Sequence, residues 1–159
     1  MSSISSTVGD LVAQWDPETE GTLGTGSGGE LTDYMNASTG IMTPYTTSGL
    51  TIVVSLVQVK DNGTTKVLWS TANTGSAKTV NQPYTDASIA DTTEMNAVSR
   101  GGCVIASEVT YSYLPVLGAV FTTAINLRHT NYFLPRFGSD NPINLDSTSV
   151  PADGCTNQT

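Results

Sequence analysis

The sequence predicts an α+β fold in which an N-terminal helix packs on an antiparallel sheet of about four strands. Three observations predict it. In "SISSTVGDLVAQW", Ile4, Val8, Leu11, Val12 and Trp15 recur at helical spacing, the pattern of a short amphipathic helix. In "GLTIVVSLVQVKDNGTTKVLWSTA", two β-branched runs flank Asn62-Gly63, a preferred hairpin turn pair. In "CVIASEVTYSYLP", apolar and polar residues alternate as in a third strand. A helix followed by strands in succession places that helix on one face of an antiparallel sheet.

Each element has its own warrant. The first helix ends at Asp16-Pro17, because the residue before a proline disfavours the α region. Residues 16–30, "DPETEGTLGTGSGGE", read as a flexible glycine-rich loop. Leu31, Tyr34, Met35, Ile41 and Met42 mark a second short helix that stops near Pro44. The hairpin strands fall near residues 50–61 and 64–71, joined by a type I′ turn. Residues 73–101 are polar and turn-rich, with a helical turn around Glu94–Val98. In the third strand Cys103, Ile105, Val109, Tyr111 and Tyr113 share one face; Ala106, Glu108 and Thr110 share the other, with Glu108 toward solvent. "LPVLGAVF" is a short apolar connector, and "TTAINLRHTNYFLPR" a fourth strand ending at Pro135. Residues 31–137 form the α+β core and residues 138–159 a polar tail. A chain of 159 residues is one domain with room for a real core.

Composition narrows the function. Six basic and 14 acidic residues give a net charge of −8, and the bases stand singly. Nothing there neutralises a run of phosphates, which argues against nucleic acid and against an anionic membrane surface. Charged residues make up 13% of the chain, and Ser, Thr, Asn and Gly replace them, a surface typical of exported β-rich proteins. Cys103 and Cys155 have no metal-type spacing. In an oxidising compartment they pair as one disulfide pinning the tail to the third strand; the alternative is two unrelated thiols. No apolar run is long enough to span a bilayer, and no signal-peptide pattern is present.

The search for chemistry finds no catalytic set. His129 is the single histidine, mid-strand, with no G-x-S-x-G elbow to partner it. Gly24–Gly29 spells G-x-G-x-x-G, yet no strand feeds it and no βαβ unit follows. Asp16, Glu18 and Glu20 resemble half of a calcium loop whose twelfth position is Ser27, so the bidentate carboxylate is missing. Glu108 lacks a second carboxylate at fixed spacing. Tyr111 and Tyr113 suit either core packing or a partner contact. No metal and no cofactor are expected.

The ordered pieces "TVGDLVAQ", "LTDYMNASTGIMTPY", "LTIVVSLVQVKDNGTTKVLWS", "VIASEVTYSYLP" and "YFLPR" resemble those of TadE/TadG-like proteins, the minor pilins or pseudopilins of tight-adherence (Flp-type) pili. The likeness spans roughly residues 6–137. It implies a helical spine with an antiparallel sheet against it, no catalysis, and docking on other pilins and pilus assembly proteins. It also implies an inner-membrane helix ahead of this chain, with the domain facing the periplasm or built into the cell-surface pilus. In such proteins the spine packs laterally, so Val8, Leu11, Val12 and Trp15 are the candidate partner contacts; burial of these residues against the domain's own sheet is the competing expectation. A second functional reading is a secreted glycan-binding or adhesive β-domain, with Trp69, Tyr84 and Tyr113 stacking on sugars and acidic loops holding calcium.

Overall fold

The computed structural model describes residues 1–85, 99, 101–113, 123–136, 142–151 and 154–155. The expected turn at Glu94–Val98 and the "LPVLGAVF" connector lie outside these residues. The elements are α1 (Ser2–Ala13), α2 (Glu30–Thr39) with a 3₁₀ turn at Gly40–Met42, then β1 (Leu50–Val59), β2 (Thr65–Ala72), β3 (Gly102–Tyr113) and β4 (Ile125–Phe133). The four strands form one antiparallel sheet in the order β2-β1-β3-β4. This is the α+β architecture expected, with two helices rather than one laid on the sheet.

β1 is buried at nine of its ten positions, which reflects its central place and a sheet covered on both faces. The main core lies between sheet and helices: Ile4, Val8 and Val12 of α1 meet Ile52, Val54 and Leu56 of β1 and Ile105 and Val109 of β3. A second, smaller core lies on the opposite face, where Tyr84 packs with Val57, Val59, Val67, Val104 and Ala106.

The β1–β2 hairpin departs from expectation in its turn. Only Gly63 has positive φ, at 83°, and the Gly63 N–H donates to Lys60 C=O at 2.8 Å. This is a three-residue connection with glycine in the left-handed position, in place of a type I′ turn, which needs two such residues. Asn62 Oδ1 instead accepts the Thr64 N–H and hydroxyl, at 2.9 and 2.7 Å. Further along, the register slips between Leu56 and Val57, whose partners are Trp69 and Val67. The extra residue, Leu68, therefore turns into the main core beside Trp69.

The tail is a correction. Ile143, Leu145, Val150 and Cys155 are all buried in the main core. The disulfide Cys103–Cys155 is present and ties this segment to β3. Gln58 Nε2 donates to Gly154 C=O at 2.9 Å beside it. Nor is the 16–30 loop loose: Leu23 is fully buried, its N–H donates to Asn144 C=O at 2.8 Å, and it bridges to Leu145. Loop and tail hold each other down, with apolar anchors spaced too irregularly to show a period.

α1 approaches β3 and β4 through Gly9. A Cβ there would overlap the Phe133 ring and sit 3.1 Å from Ser107 Cβ. Gly9→Ala normally stabilises a helix interior by about 0.8–1 kcal/mol. Here overpacking is expected to reverse the sign, with a loss of about 1–3 kcal/mol. Urea unfolding measures it; a midpoint raised in the variant would show that α1 does not seat this closely.

Candidate interaction surface

The helical stripe is mostly consumed by the chain's own core. Val8 and Val12 are 0% exposed, and Trp15 is buried with its indole N–H on Gly21 C=O at 3.0 Å. Of the four candidate contacts only Leu11 reaches the surface, at the lip of a shallow groove with Ser6, Thr7, Asp10 and Phe133. An apolar stripe covers one side of a helix, and the sheet has taken that side. The outward face of α1 is therefore Ser3, Ser6, Thr7, Asp10 and Gln14 around Leu11. Asp10 is tied to Arg136 at 3.0 Å, which fixes the C-terminal half of α1 beside the end of β4.

The larger concavity lies at the opposite end of α1. Asn131 Nδ2 donates to Ser5 Oγ at 2.7 Å, which sets Ser5 level with the middle of β4. From that level α1 runs back only to Ser2, roughly 5 Å at 1.5 Å per residue. β4 runs back six residues to Ile125, roughly 20 Å. The leading part of β4 and the end of β3 opposite it thus extend past the helix, Leu127 facing Tyr111 and Ile125 facing Tyr113 across the ladder. The 3₁₀ turn and following loop bring in Ile41, Met42 and Tyr45 alongside Ile4, closing a cleft of about 480 Å³. Among the described residues no charged side chain lines it. α1 begins here without a capping side chain or an acidic residue in its first turn. Sequence reasoning assigned Ile41 and Met42 to a helix and did not single out Tyr45 or Leu127. The strand alternation carrying Leu127 was legible, but where the helix cover stops was not.

The opposite sheet face corrects two expectations. Glu108 does not face open solvent: its side chain is 15% exposed, 3.0 Å from Lys78 Nζ, and accepts the Tyr84 hydroxyl at 2.8 Å. The Lys78 ammonium also lies 5.3 Å over the Tyr84 ring. Tyr84, expected as a sugar platform, is buried in the smaller core, and Trp69 is fully buried with its indole N–H on Ile143 C=O at 2.7 Å. Neither can stack on a ligand. Tyr113 is half-buried beside Tyr111 at the cleft.

The remaining candidates are placed separately. His129 sits opposite Val109 on β4, half-buried. In the glycine-rich loop, Glu30 Oε2 accepts the Gly24 N–H at 3.0 Å, so a carboxylate already occupies this turn at the start of α2. The acidic loop closes on itself, Glu18 N–H donating to Asp16 Oδ1 at 3.0 Å. Among the described residues no group of three or more His, Cys, Asp or Glu converges as a metal site. The Thr25 hydroxyl, donating to Asp146, holds that exposed carboxyl below its ordinary value. Burial, then Glu20 and Glu30, push the Tyr34 phenol up.

No family model matches the chain, and neither a curated protein nor a solved structure matches it.

Proposed function

We propose that this chain is the extracytoplasmic part of a non-enzymatic minor pilin or pseudopilin that takes part in assembling a tight-adherence pilus. The observation that carries the reading is α1 laid along an antiparallel sheet, packed on β3 and β4, with a polar outer face around Leu11. In this reading α1 belongs to a spine anchored in the inner membrane, and Leu11 with its groove is the lateral contact for a neighbouring pilin or assembly protein. The domain stands in the periplasm or in the cell-surface filament. The sequence resemblance over residues 6–137 supports the same assignment, and the disulfide suits an oxidising compartment.

Leu11→Asp tests the contact. In cells that assemble such pili, it is expected to lower surface filaments several-fold. The purified variant should stay folded with a loss of about 1–2 kcal/mol, since an acid in the last turn of a helix has poor propensity and opposes the dipole. Filament numbers unchanged by Leu11→Asp would remove Leu11 as the contact. Numbers unchanged on deleting the whole chain would end the pilin reading.

A further inference from the structure

Asn62-Gly63 is the one Asn-Gly pair in the chain, and the fold surrounds it with groups that bear on its chemistry. Asn62 is exposed on the connection from β1 to β2. Its side-chain oxygen, Oδ1, accepts the Thr64 N–H at 2.9 Å and the Thr64 hydroxyl at 2.7 Å. Two donors on one amide oxygen draw electron density from Cγ and favour negative charge on that oxygen. Gly63, the next residue, has no Cβ to shield its backbone nitrogen. Other exposed asparagines lack this pairing: Asn36, Asn73, Asn81 and Asn126 precede Ala37, Thr74, Gln82 and Leu127, whose side chains crowd the nitrogen. The opposing feature is the Gly63 N–H, which donates to Lys60 C=O at 2.8 Å. It is a single hydrogen bond in a turn whose Asp61, Asn62 and Thr64 are exposed, of the kind that opens locally while the sheet stays closed.

We propose that Asn62 is a site of spontaneous covalent modification in the folded chain, where its side-chain amide closes on the backbone of Gly63 and ends as a carboxylate. The Gly63 nitrogen gives its proton to hydroxide and attacks Asn62 Cγ, so an N–Cγ bond forms. Negative charge gathers on Oδ1, where the Thr64 N–H and hydroxyl receive it. The Cγ–Nδ2 bond then breaks, and the nitrogen takes a proton from solvent and leaves as ammonia. A five-membered succinimide remains. Water opens this ring at either carbonyl: attack at Asn62 Cγ gives aspartate, and attack at the backbone carbonyl gives β-linked isoaspartate. Both products set a new anion beside Asp61. The aspartate keeps both Thr64 donors, so the turn survives. The β-linked product adds an atom to the main chain inside the turn and disturbs the bond between Gly63 and Lys60. The inference rests on the chemistry of the hairpin tip and does not require the pilin reading.

Peptide mapping by mass spectrometry tests it, on the purified folded chain incubated at neutral and at mildly alkaline pH. The peptide spanning the tip should gain the mass difference between a hydroxyl and an amino group. It should do so as two chromatographically separate products of equal mass, and faster at the higher pH. Conversion at Asn62 is expected to exceed that at Asn36, Asn73, Asn81 or Asn126 at least tenfold. Thr64→Val removes the hydroxyl and keeps the N–H; it should slow conversion severalfold while keeping the parent melting temperature. Asn62→Gln, which would have to close a larger ring, should give at least tenfold less product. An Asn62 that stays intact in the folded chain but converts in urea would overturn the inference, because Lys60 would then be holding the Gly63 nitrogen shut. So would a single aspartate product, the mark of direct hydrolysis, or conversion spread equally over the exposed asparagines. A Thr64→Val rate equal to the parent's would overturn the part assigned to the Thr64 hydroxyl.

Discussion

Trp69→Ala is expected to remove about 3–5 kcal/mol of stability, the range for truncating a large aromatic in a packed core. Trp69 is 0% exposed and is the largest of the fully buried side chains. It sits at the β1–β2 bulge, opposite Leu56, and its indole N–H donates to Ile143 C=O at 2.7 Å. Truncation therefore opens a cavity and also releases the tail segment from β2. Because small domains are stable by only about 5–15 kcal/mol in total, the variant should unfold at a far lower urea concentration. Trp69→Phe separates the contributions. It keeps most of the volume but leaves the Ile143 carbonyl unpaired, for an expected loss of about 1–3 kcal/mol. If alanine and phenylalanine cost the same, packing at this site contributes little and the hydrogen bond carries the effect. If alanine costs under about 1.5 kcal/mol, well short of ordinary core truncations, the tail does not close over Trp69 as described.

Removing the disulfide, by Cys103→Ala with Cys155→Ala, is expected to cost about 4 kcal/mol. That figure comes from the chain entropy released when a loop spanning 52 residues is no longer closed. For a domain of this size it corresponds to a melting temperature lower by roughly 10 °C. The loss should be local before it is global. Gln58 Nε2 on Gly154 C=O and the burial of Val150 and Cys155 all depend on the tether. Amide exchange at residues 142–155 should therefore accelerate well before the β1–β3 ladder opens. Equal acceleration in the central strands would mean that the tail folds as one unit with the sheet. An unchanged melting temperature would show that the linkage adds no stability.

Most of the architecture was legible in the sequence because helix and strand write different periods. The stripe Ile4–Trp15 marked α1, and Asn62-Gly63 between two β-branched runs marked the hairpin. The alternation from Cys103 to Tyr113 sorted the two faces of β3 correctly, Glu108 included. What that alternation could not say is whether the second face meets water. Burial there depends on Tyr84 and Lys78 arriving from a segment with no period of its own. Equally, the stripe on α1 announced an apolar face but not its occupant, and the sheet rather than a neighbouring molecule takes Val8, Val12 and Trp15.

By itself, then, the sequence determined the elements, their order and the pairing of the cysteines as one option, since these follow from local spacing and from residue chemistry. Only the tertiary structure decided which apolar groups remain outside. Ile41, Tyr45, Ile125 and Leu127 come from two segments far apart in sequence, and each looks like an ordinary core residue in its own context. They meet at one end of the sheet, where the leading part of β4 runs past the first turn of α1 and no carboxylate stands among the described residues. A relative length between a helix rising about 1.5 Å per residue and a strand rising about 3.3 Å is fixed by their packing, and no local pattern records it.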